Sequence, residues 1–147
     1  MENKKLTVAF VGCGKFAKFF VPLCQAHPYV EKVYVCDLIP EKAKDYAEKF
    51  GVEIIDTYEE ILERKDIDCV MNFTQRHLHG DIVIRALEAG KHVYSAVPMA
   101  SKVEECERIV ELVRKTKLTY MMGETCYYYP CAMFCREAYA DGKFGKF

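Results

Sequence analysis

Short apolar runs alternate with amphipathic segments along the 147 residues of the chain. Several of the runs are uncharged and rich in β-branched side chains, as expected of strands that are buried on both faces of a parallel sheet. They predict strands over residues 6–11, 33–36, 53–55, 69–73, 91–94 and 118–122. Strands that alternate with helical segments indicate an α/β protein, here a doubly wound, mostly parallel sheet of the Rossmann type with helices on both faces.

The amphipathic segments predict helices over residues 15–26, 40–50, 81–89, 101–116 and 130–140, and a further helix after Thr57. Pro22 falls inside the first of them and is expected to end or kink it. Thr57 with Glu60, and Ser101 with Glu104, have the spacing of capping boxes at helix N-termini.

Composition excludes several classes of partner. The net charge is −1, so nothing attracts the chain to nucleic acid or to an anionic membrane surface. The first residues are polar, and no run is long and apolar enough to span a bilayer, which predicts a cytoplasmic protein. The eight cysteines form no CxxC pair and match no zinc or iron–sulfur spacing, so we expect reduced thiols and no metal site. Cys126, Cys131 and Cys135 are interpreted as helix-packing residues.

Residues 12–17 read Gly-x-Gly-x-x-Ala, directly after the first predicted strand and at the start of a helix. Gly12 permits the tight turn, Gly14 allows a pyrophosphate to approach the backbone, and the small Ala17 lets helix and strand pack closely. The alternative is a tight turn that binds nothing. The predicted cofactor contacts in this loop come from Gly12, Cys13, Gly14, Lys15 and Phe16.

Asp37 ends the second predicted strand, where a carboxylate can accept hydrogen bonds from both hydroxyls of an adenosine ribose. Because it would repel a 2′-phosphate, Asp37 favours NAD over NADP. Two alternatives stay open: a solvated strand end, and an S-adenosylmethionine-dependent methyltransferase, which also uses a glycine-rich loop and an acid in this position. The second is less favoured, since the sixth predicted strand is followed by a helix rather than by an antiparallel hairpin.

Two further segments carry a family resemblance. Residues 72–79 read Asn-Phe-Thr-Gln-Arg-His-Leu-His, and residues 86–93 read Ala-Leu-Glu-Ala-Gly-Lys-His-Val. Together with the glycine loop, the chain resembles the Gfo/Idh/MocA oxidoreductases, which include glucose–fructose oxidoreductase and inositol dehydrogenase. Of that family's Thr-Pro-Asn-x-x-His pattern the chain keeps Thr74 and His79, while Gln75 and Arg76 replace the proline and asparagine. The resemblance implies cofactor contacts from Thr74, Gln75, His79 and Ala96.

The chain departs from this family where members usually carry Glu-Lys-Pro, with the lysine commonly assigned to catalysis. Here the residues are Ala96, Val97 and Pro98. Val97 can neither transfer a proton nor polarise a carbonyl group, so no catalytic residue is predicted in this chain. Either another domain supplies proton transfer, or the protein is a non-catalytic, NAD-binding regulatory module.

The resemblance also implies a domain organisation. Residues 1–140 are expected to form the NAD(P)-binding domain, and residues 141–147 to begin a truncated substrate domain. The leading hypothesis is an NAD-dependent oxidoreductase of a sugar, polyol or related compound, inactive as this fragment alone. The aromatic segment 121–130 is expected either to line a sugar-like pocket or to pack against a second domain. Its exposure in the fragment would favour a homo-oligomer.

Overall fold

Six parallel strands form one sheet in the computed structural model, which describes residues 4–146. The order across the sheet is β3-β2-β1-β4-β5-β6. The strands are β1 (Leu6–Val11), β2 (Val30–Cys36), β3 (Glu53–Ile54), β4 (Cys69–Asn72), β5 (His92–Ala96) and β6 (Tyr120–Gly123). This order is that of the doubly wound Rossmann sheet, so the predicted fold class is confirmed.

Helical segments connect the strands. The α-helices are α1 (Val21–Ala26), α2 (Pro40–Phe50), α3 (Tyr58–Glu63), α4 (His79–Glu88), α5 (Val103–Thr116) and α6 (Pro130–Ala140). Three short 3₁₀ turns cover Ala17–Phe19, Arg76–Leu78 and Thr125–Tyr128. Residues 141–146 continue as exposed turns, and the predicted domain boundary at residue 140 stays a prediction.

Alternating side chains of the central strands enter two separate apolar cores, as their uncharged sequences predict. Val8 and Phe10 of β1 face α1 and α2, and this side is called the α1–α2 face below. Ala9 and Val11 face α3, α4 and α5, which cover the α3–α5 face. All four side chains are at most 5% exposed, so the central strand is buried on both sides.

The predicted helix over residues 15–26 is wrong as a single element. The chain forms the 3₁₀ turn first, and α1 begins only at Val21. Pro22 is therefore among the first residues of α1, where its missing N–H costs no intrahelical hydrogen bond. The expected break occurs, but the proline starts a helix instead of ending one.

One of the two predicted capping boxes forms its cap. The Thr57 hydroxyl accepts a hydrogen bond from the Glu60 N–H at 3.2 Å, at the start of α3. The prediction for Ser101 is wrong, because Lys102 is the residue that precedes α5 and Ser101 Oγ donates to the carbonyl of Arg76 at 3.2 Å. Ser101 therefore links two loops rather than capping a helix.

The cysteines divide by exposure. All eight are free thiols; Cys36 is buried at the end of β2, and Cys13 is buried in the loop after β1. Cys126, Cys131 and Cys135 are exposed, so their interpretation as helix-packing residues is wrong for the part of the chain described. Over residues 4–146 no group of three potential metal-ligating side chains comes together, and none of the helices there has the length and apolarity to cross a bilayer.

Candidate cofactor site

The strand order places a crevice between β1 and β4. These neighbours are followed by helical segments on opposite faces, since Ala17 and Val21 lie on the α1–α2 face, whereas Ile82 of α4 lies on the α3–α5 face. Ligands of open α/β sheets bind in such a crevice, beyond the carboxyl ends of the strands. Two segments meet there: the glycine loop after β1 and the chain from Phe73 onward after β4.

Gly12 lies where the two segments are in contact. Its φ is +96°, in the region that L side chains rarely adopt. A Cβ atom here would lie 2.7 Å from both the carbonyl carbon and oxygen of Phe73, and 2.9 Å from the Thr74 nitrogen. The Gly12 N–H donates to the Cys36 carbonyl at 2.9 Å. The first glycine is thus required by backbone conformation and by the close approach of a second backbone.

Gly14 differs from Gly12 in both respects. Its φ is not positive, and a Cβ atom built on it would have no atom within 4 Å. Among residues 4–146, neither backbone conformation nor packing therefore requires glycine at this position. The free space and the neighbouring 3₁₀ turn fit a pyrophosphate that approaches the backbone, as the motif predicts. Lys15 and Phe16 follow, both exposed.

Asp37 links the end of β2 to the glycine loop. Its Oδ2 accepts from the Cys13 N–H at 2.7 Å, and its Oδ1 accepts from the Ile39 N–H at 2.9 Å. The carboxylate is partly exposed, and since an ionised carboxylate can accept about four hydrogen bonds, it retains capacity for ribose hydroxyls. Burial, and secondarily the Asp37 charge, raise the pKa of the Cys13 thiol to about 12. Cys13 therefore contributes its backbone and stays a neutral thiol.

Asn72 is a site residue for which the sequence predicted no role. It is fully buried at the end of β4, and its Nδ2 donates to Ser95 Oγ at 3.0 Å. Its Oδ1 accepts from both the N–H and the hydroxyl of Thr74, at 3.2 and 2.7 Å. Asn72 thus holds Thr74 at the crevice, next to the exposed Gln75. The sequence signal that could have identified Asn72 is a polar amide at the end of an otherwise apolar strand.

His79 lies between the segment after β4 and the segment after β5. Its side chain is 1% exposed; Nδ1 lies 2.7 Å from the Pro98 carbonyl oxygen, and Nε2 lies 3.1 Å from the Thr74 carbonyl oxygen. Both contacts are hydrogen bonds only when both ring nitrogens carry hydrogen. Because the backbone occupies both nitrogens, the ring connects the segment after β4 to the segment after β5. Direct contact between His79 and a cofactor stays a prediction.

The segment after β5 carries no ionisable side chain at residues 96–98. Ala96 is 8% exposed and lies at the end of β5, opposite Gly123 of β6. Val97 is 38% exposed, and the Val97–Pro98 peptide bond is cis. This segment can therefore shape a pocket wall but cannot transfer a proton.

The structure brings the predicted cofactor residues to one edge of the sheet. The glycine loop follows β1, Asp37 follows β2, Thr74 and Gln75 follow β4, and Ala96 ends β5. Parallel strands direct their carboxyl ends to the same edge, so residues far apart in sequence line one crevice. The contacts of each with a cofactor stay predictions. The arrangement suits the binding of an extended dinucleotide.

Comparison with known proteins agrees with this geometry. Residues 6–124 match a family described as an oxidoreductase family with an NAD-binding Rossmann fold, Gfo/Idh/MocA. The chain is 30% identical to a dTDP-3,4-didehydro-2,6-dideoxy-α-D-glucose 3-reductase of Actinomadura kijaniata, over 99% of this chain and 46% of the relative. It is 31% identical to an α-N-acetylgalactosaminidase of Shewanella oneidensis, over 84% of this chain and 27% of that one.

A solved structure of a relative has the same fold as this chain. A 3-ketoreductase from Actinomadura kijaniata, in complex with NADP and TDP-benzene, superposes with a TM-score of 0.84 at 28% identity, covering 95% of this chain and 43% of that one. The chain thus spans less than half the length of the relatives described here. Since the matched family covers most of the chain, including every predicted cofactor residue, the chain belongs to the Gfo/Idh/MocA family of oxidoreductases with an NAD(P)-binding Rossmann fold.

Proposed function

We propose that this chain is the NAD-binding half of an oxidoreductase that acts on a sugar, a polyol or a related carbonyl compound. The observation that carries the proposal is the contrast between the two glycines of the loop. Gly12 is enclosed by the backbone of Phe73, whereas Gly14 opens onto free space at the crevice. Internal packing accounts for the first glycine, and a ligand that approaches the backbone accounts for the second.

The preference for NAD over NADP rests on Asp37. Its two backbone hydrogen bonds fix the carboxylate at the crevice, and a 2′-phosphate placed there would be repelled. The similar 3-ketoreductase was solved in complex with NADP, so NADP is the cofactor against which NAD is to be compared.

Calorimetric titration of the 147-residue chain with NAD and NADP provides that comparison. The Asp37→Asn variant removes the charge and replaces one acceptor oxygen by an NH2 donor, so we expect weaker NAD binding by roughly tenfold and a smaller difference between NAD and NADP. Asp45→Asn, which makes the same charge change on the exposed side of α2, is the control and should bind NAD like the unaltered chain. Tighter binding of NADP than of NAD by the unaltered chain would refute the role given to Asp37.

Residues 1–140 are proposed as the cofactor domain, and residues 141–147 as the start of the substrate domain. In the complete protein, hydride would pass between a substrate carbon and the nicotinamide ring when the cofactor is bound. The residues of this chain would bind and orient that cofactor. Because Val97 replaces the usual lysine, proton transfer is assigned to groups outside this chain, and the 147 residues alone are expected to be inactive.

Two other activities have specific support. The absence of an ionisable group at residues 96–98 favours a non-catalytic, NAD-binding regulatory module. The similarity to an α-N-acetylgalactosaminidase favours glycoside cleavage by the complete protein.

Assays of the complete protein would separate these functions. Reduction of NAD by members of a sugar panel would support the oxidoreductase. Release of the aglycone from an aryl glycoside without net reduction of NAD would support the glycosidase, and tight NAD binding with neither reaction would support the module. Binding of S-adenosylmethionine with no binding of NAD would instead indicate a methyltransferase.

Self-association is proposed for the isolated chain. Large apolar side chains are exposed on the last helical segments, including Tyr128 at 60%, Met133 at 43% and Phe134 at 64%. An apolar surface of this kind promotes association. Light scattering should therefore show oligomers at high protein concentration, and a monodisperse monomer would contradict the proposal.

A further inference from the structure

Tyr46 of α2 reaches from the helix to the underside of the glycine loop. Its side chain is 8% exposed, on the α1–α2 face, and its hydroxyl donates a hydrogen bond to the Gly14 carbonyl oxygen. Burial raises the pKa of Tyr46 to about 12, with a smaller contribution from Cys13. The hydroxyl therefore keeps the hydrogen that it donates to the loop.

The Tyr46 hydroxyl lies where a regular helix would have its own hydrogen bond. In an α-helix the Gly14 carbonyl would accept from the Lys18 N–H, four residues later. Here residues 17–19 form a 3₁₀ turn, and the Gly14 carbonyl accepts from the Tyr46 hydroxyl instead. A side chain inserted into the hydrogen-bond ladder breaks a helix in this way. This insertion is a physical reason why the predicted helix over residues 15–26 does not form as one element.

The insertion also fixes the direction of the next N–H group. The Gly14 carbonyl and the Lys15 N–H belong to one planar trans peptide, so they point in opposite directions. With the carbonyl held toward α2 by Tyr46, the Lys15 N–H points away from α2. A Cβ atom built on Gly14 meets no described protein atom within 4 Å, and Lys15 is exposed, so the Gly14–Lys15 peptide lies at the surface of the loop.

We propose that Tyr46 is a positioning residue of the cofactor site, which holds the Gly14–Lys15 peptide so that the Lys15 N–H is available to the cofactor pyrophosphate. The proposal rests on the proposed binding of NAD. Tyr46 touches the loop and not the cofactor. Its hydroxyl and the Asp37 carboxylate hold successive parts of the loop, since Asp37 fixes the Cys13 N–H. Both groups come from the β2–α2 segment, which therefore orients the loop from one side.

A matched pair of hydroxyl deletions tests the proposal. Tyr58 also lies in the core, 7% exposed, and its hydroxyl donates to the Ile82 carbonyl at 2.6 Å, but on the α3–α5 face. Tyr46→Phe and Tyr58→Phe each remove one hydroxyl together with its hydrogen bond to a backbone carbonyl. We expect similar losses of stability in urea unfolding, with NAD affinity about three- to tenfold weaker in Tyr46→Phe alone, the equivalent of one net hydrogen bond.

The outcomes distinguish failure of the proposed function from failure of the positioning role. Failure of the unaltered chain to bind NAD would refute the proposed function itself. NAD binding by Tyr46→Phe that equals that of the unaltered chain, or an equal loss in both variants, would overturn the positioning role. The NMR signal of the Lys15 amide gives a measurement independent of affinity: it should shift in Tyr46→Phe and not in Tyr58→Phe, and an unshifted signal in Tyr46→Phe would also overturn the proposal.

Discussion

Replacement of each loop glycine by alanine should separate folding from binding, because the two positions differ in surroundings. At Gly12 the new Cβ would lie 2.7 Å from the Phe73 carbonyl group and the backbone would keep a φ of +96°. The positive φ costs roughly 1–2 kcal/mol for an L residue. The steric overlap adds about 1–3 kcal/mol, since rigid backbone must move. Gly12→Ala should therefore lower the free energy of unfolding by roughly 2–5 kcal/mol, a large part of the ~5–15 kcal/mol typical of a folded domain.

Gly14→Ala should leave stability almost unchanged and weaken the binding of NAD. Its Cβ meets no protein atom within 4 Å and its φ is not positive, so the free energy of unfolding should change by less than about 0.5 kcal/mol. The same methyl group would enter the space proposed for the pyrophosphate. An overlap of about 1–3 kcal/mol there corresponds to a loss of NAD affinity of roughly 5- to 150-fold.

Gly51→Ala supplies the control for backbone conformation. Gly51 has a φ of +65° after α2 and open space around a built Cβ, so its replacement measures the cost of positive φ alone. Urea unfolding of the three variants and calorimetry with NAD complete the assay. A Gly12→Ala protein as stable as Gly51→Ala would refute the packing argument, and unchanged NAD affinity in Gly14→Ala would refute the place assigned to the pyrophosphate.

Three further predictions concern other buried groups. His79→Leu removes the ring that connects two loops. We expect the free energy of unfolding, measured in urea, to fall by about 2–3 kcal/mol, and calorimetry to show weaker NAD binding. Unchanged affinity would mean that the loops hold their geometry without the ring. Lys91, 5% exposed, donates from Nζ to the Ile67 carbonyl at 3.0 Å, so Lys91→Met should cost about 1–3 kcal/mol of stability while leaving NAD affinity of the folded protein unchanged. Burial raises the pKa of Cys13 to about 12, so iodoacetamide at neutral pH should modify the exposed Cys131 first and Cys13 only on unfolding. Peptide mass spectrometry would identify the modified residues, and early modification of Cys13 would contradict its burial.

The site was predictable from sequence where the signal is local. The glycine motif requires only that a strand precede it and a helical segment follow, and both are visible as adjacent patterns. Asp37 was identified because it ends a strand. Asn72 and Tyr46 were not given site roles, since an amide or a phenol gives no local sign of which distant backbone group it will meet. The capping prediction at Ser101 was wrong because Lys102 takes the N-cap position of α5, while the Ser101 hydroxyl donates to the Arg76 carbonyl in a loop that is distant in sequence.

The alternation of apolar and amphipathic segments by itself determined the parallel sheet and its two buried faces, and the glycine motif determined the tight turn after β1. These depend on periodicity and on the conformations allowed to single residues, and each is encoded within a few neighbouring positions. Tertiary structure decided the use of the Tyr46 hydroxyl in place of a helical hydrogen bond, the two backbone contacts of Asp37 and the connection of two loops through His79. Each of these depends on distances between segments that only the packed sheet brings together, because a hydrogen bond requires its partners within about 3 Å and sequence spacing does not set that distance.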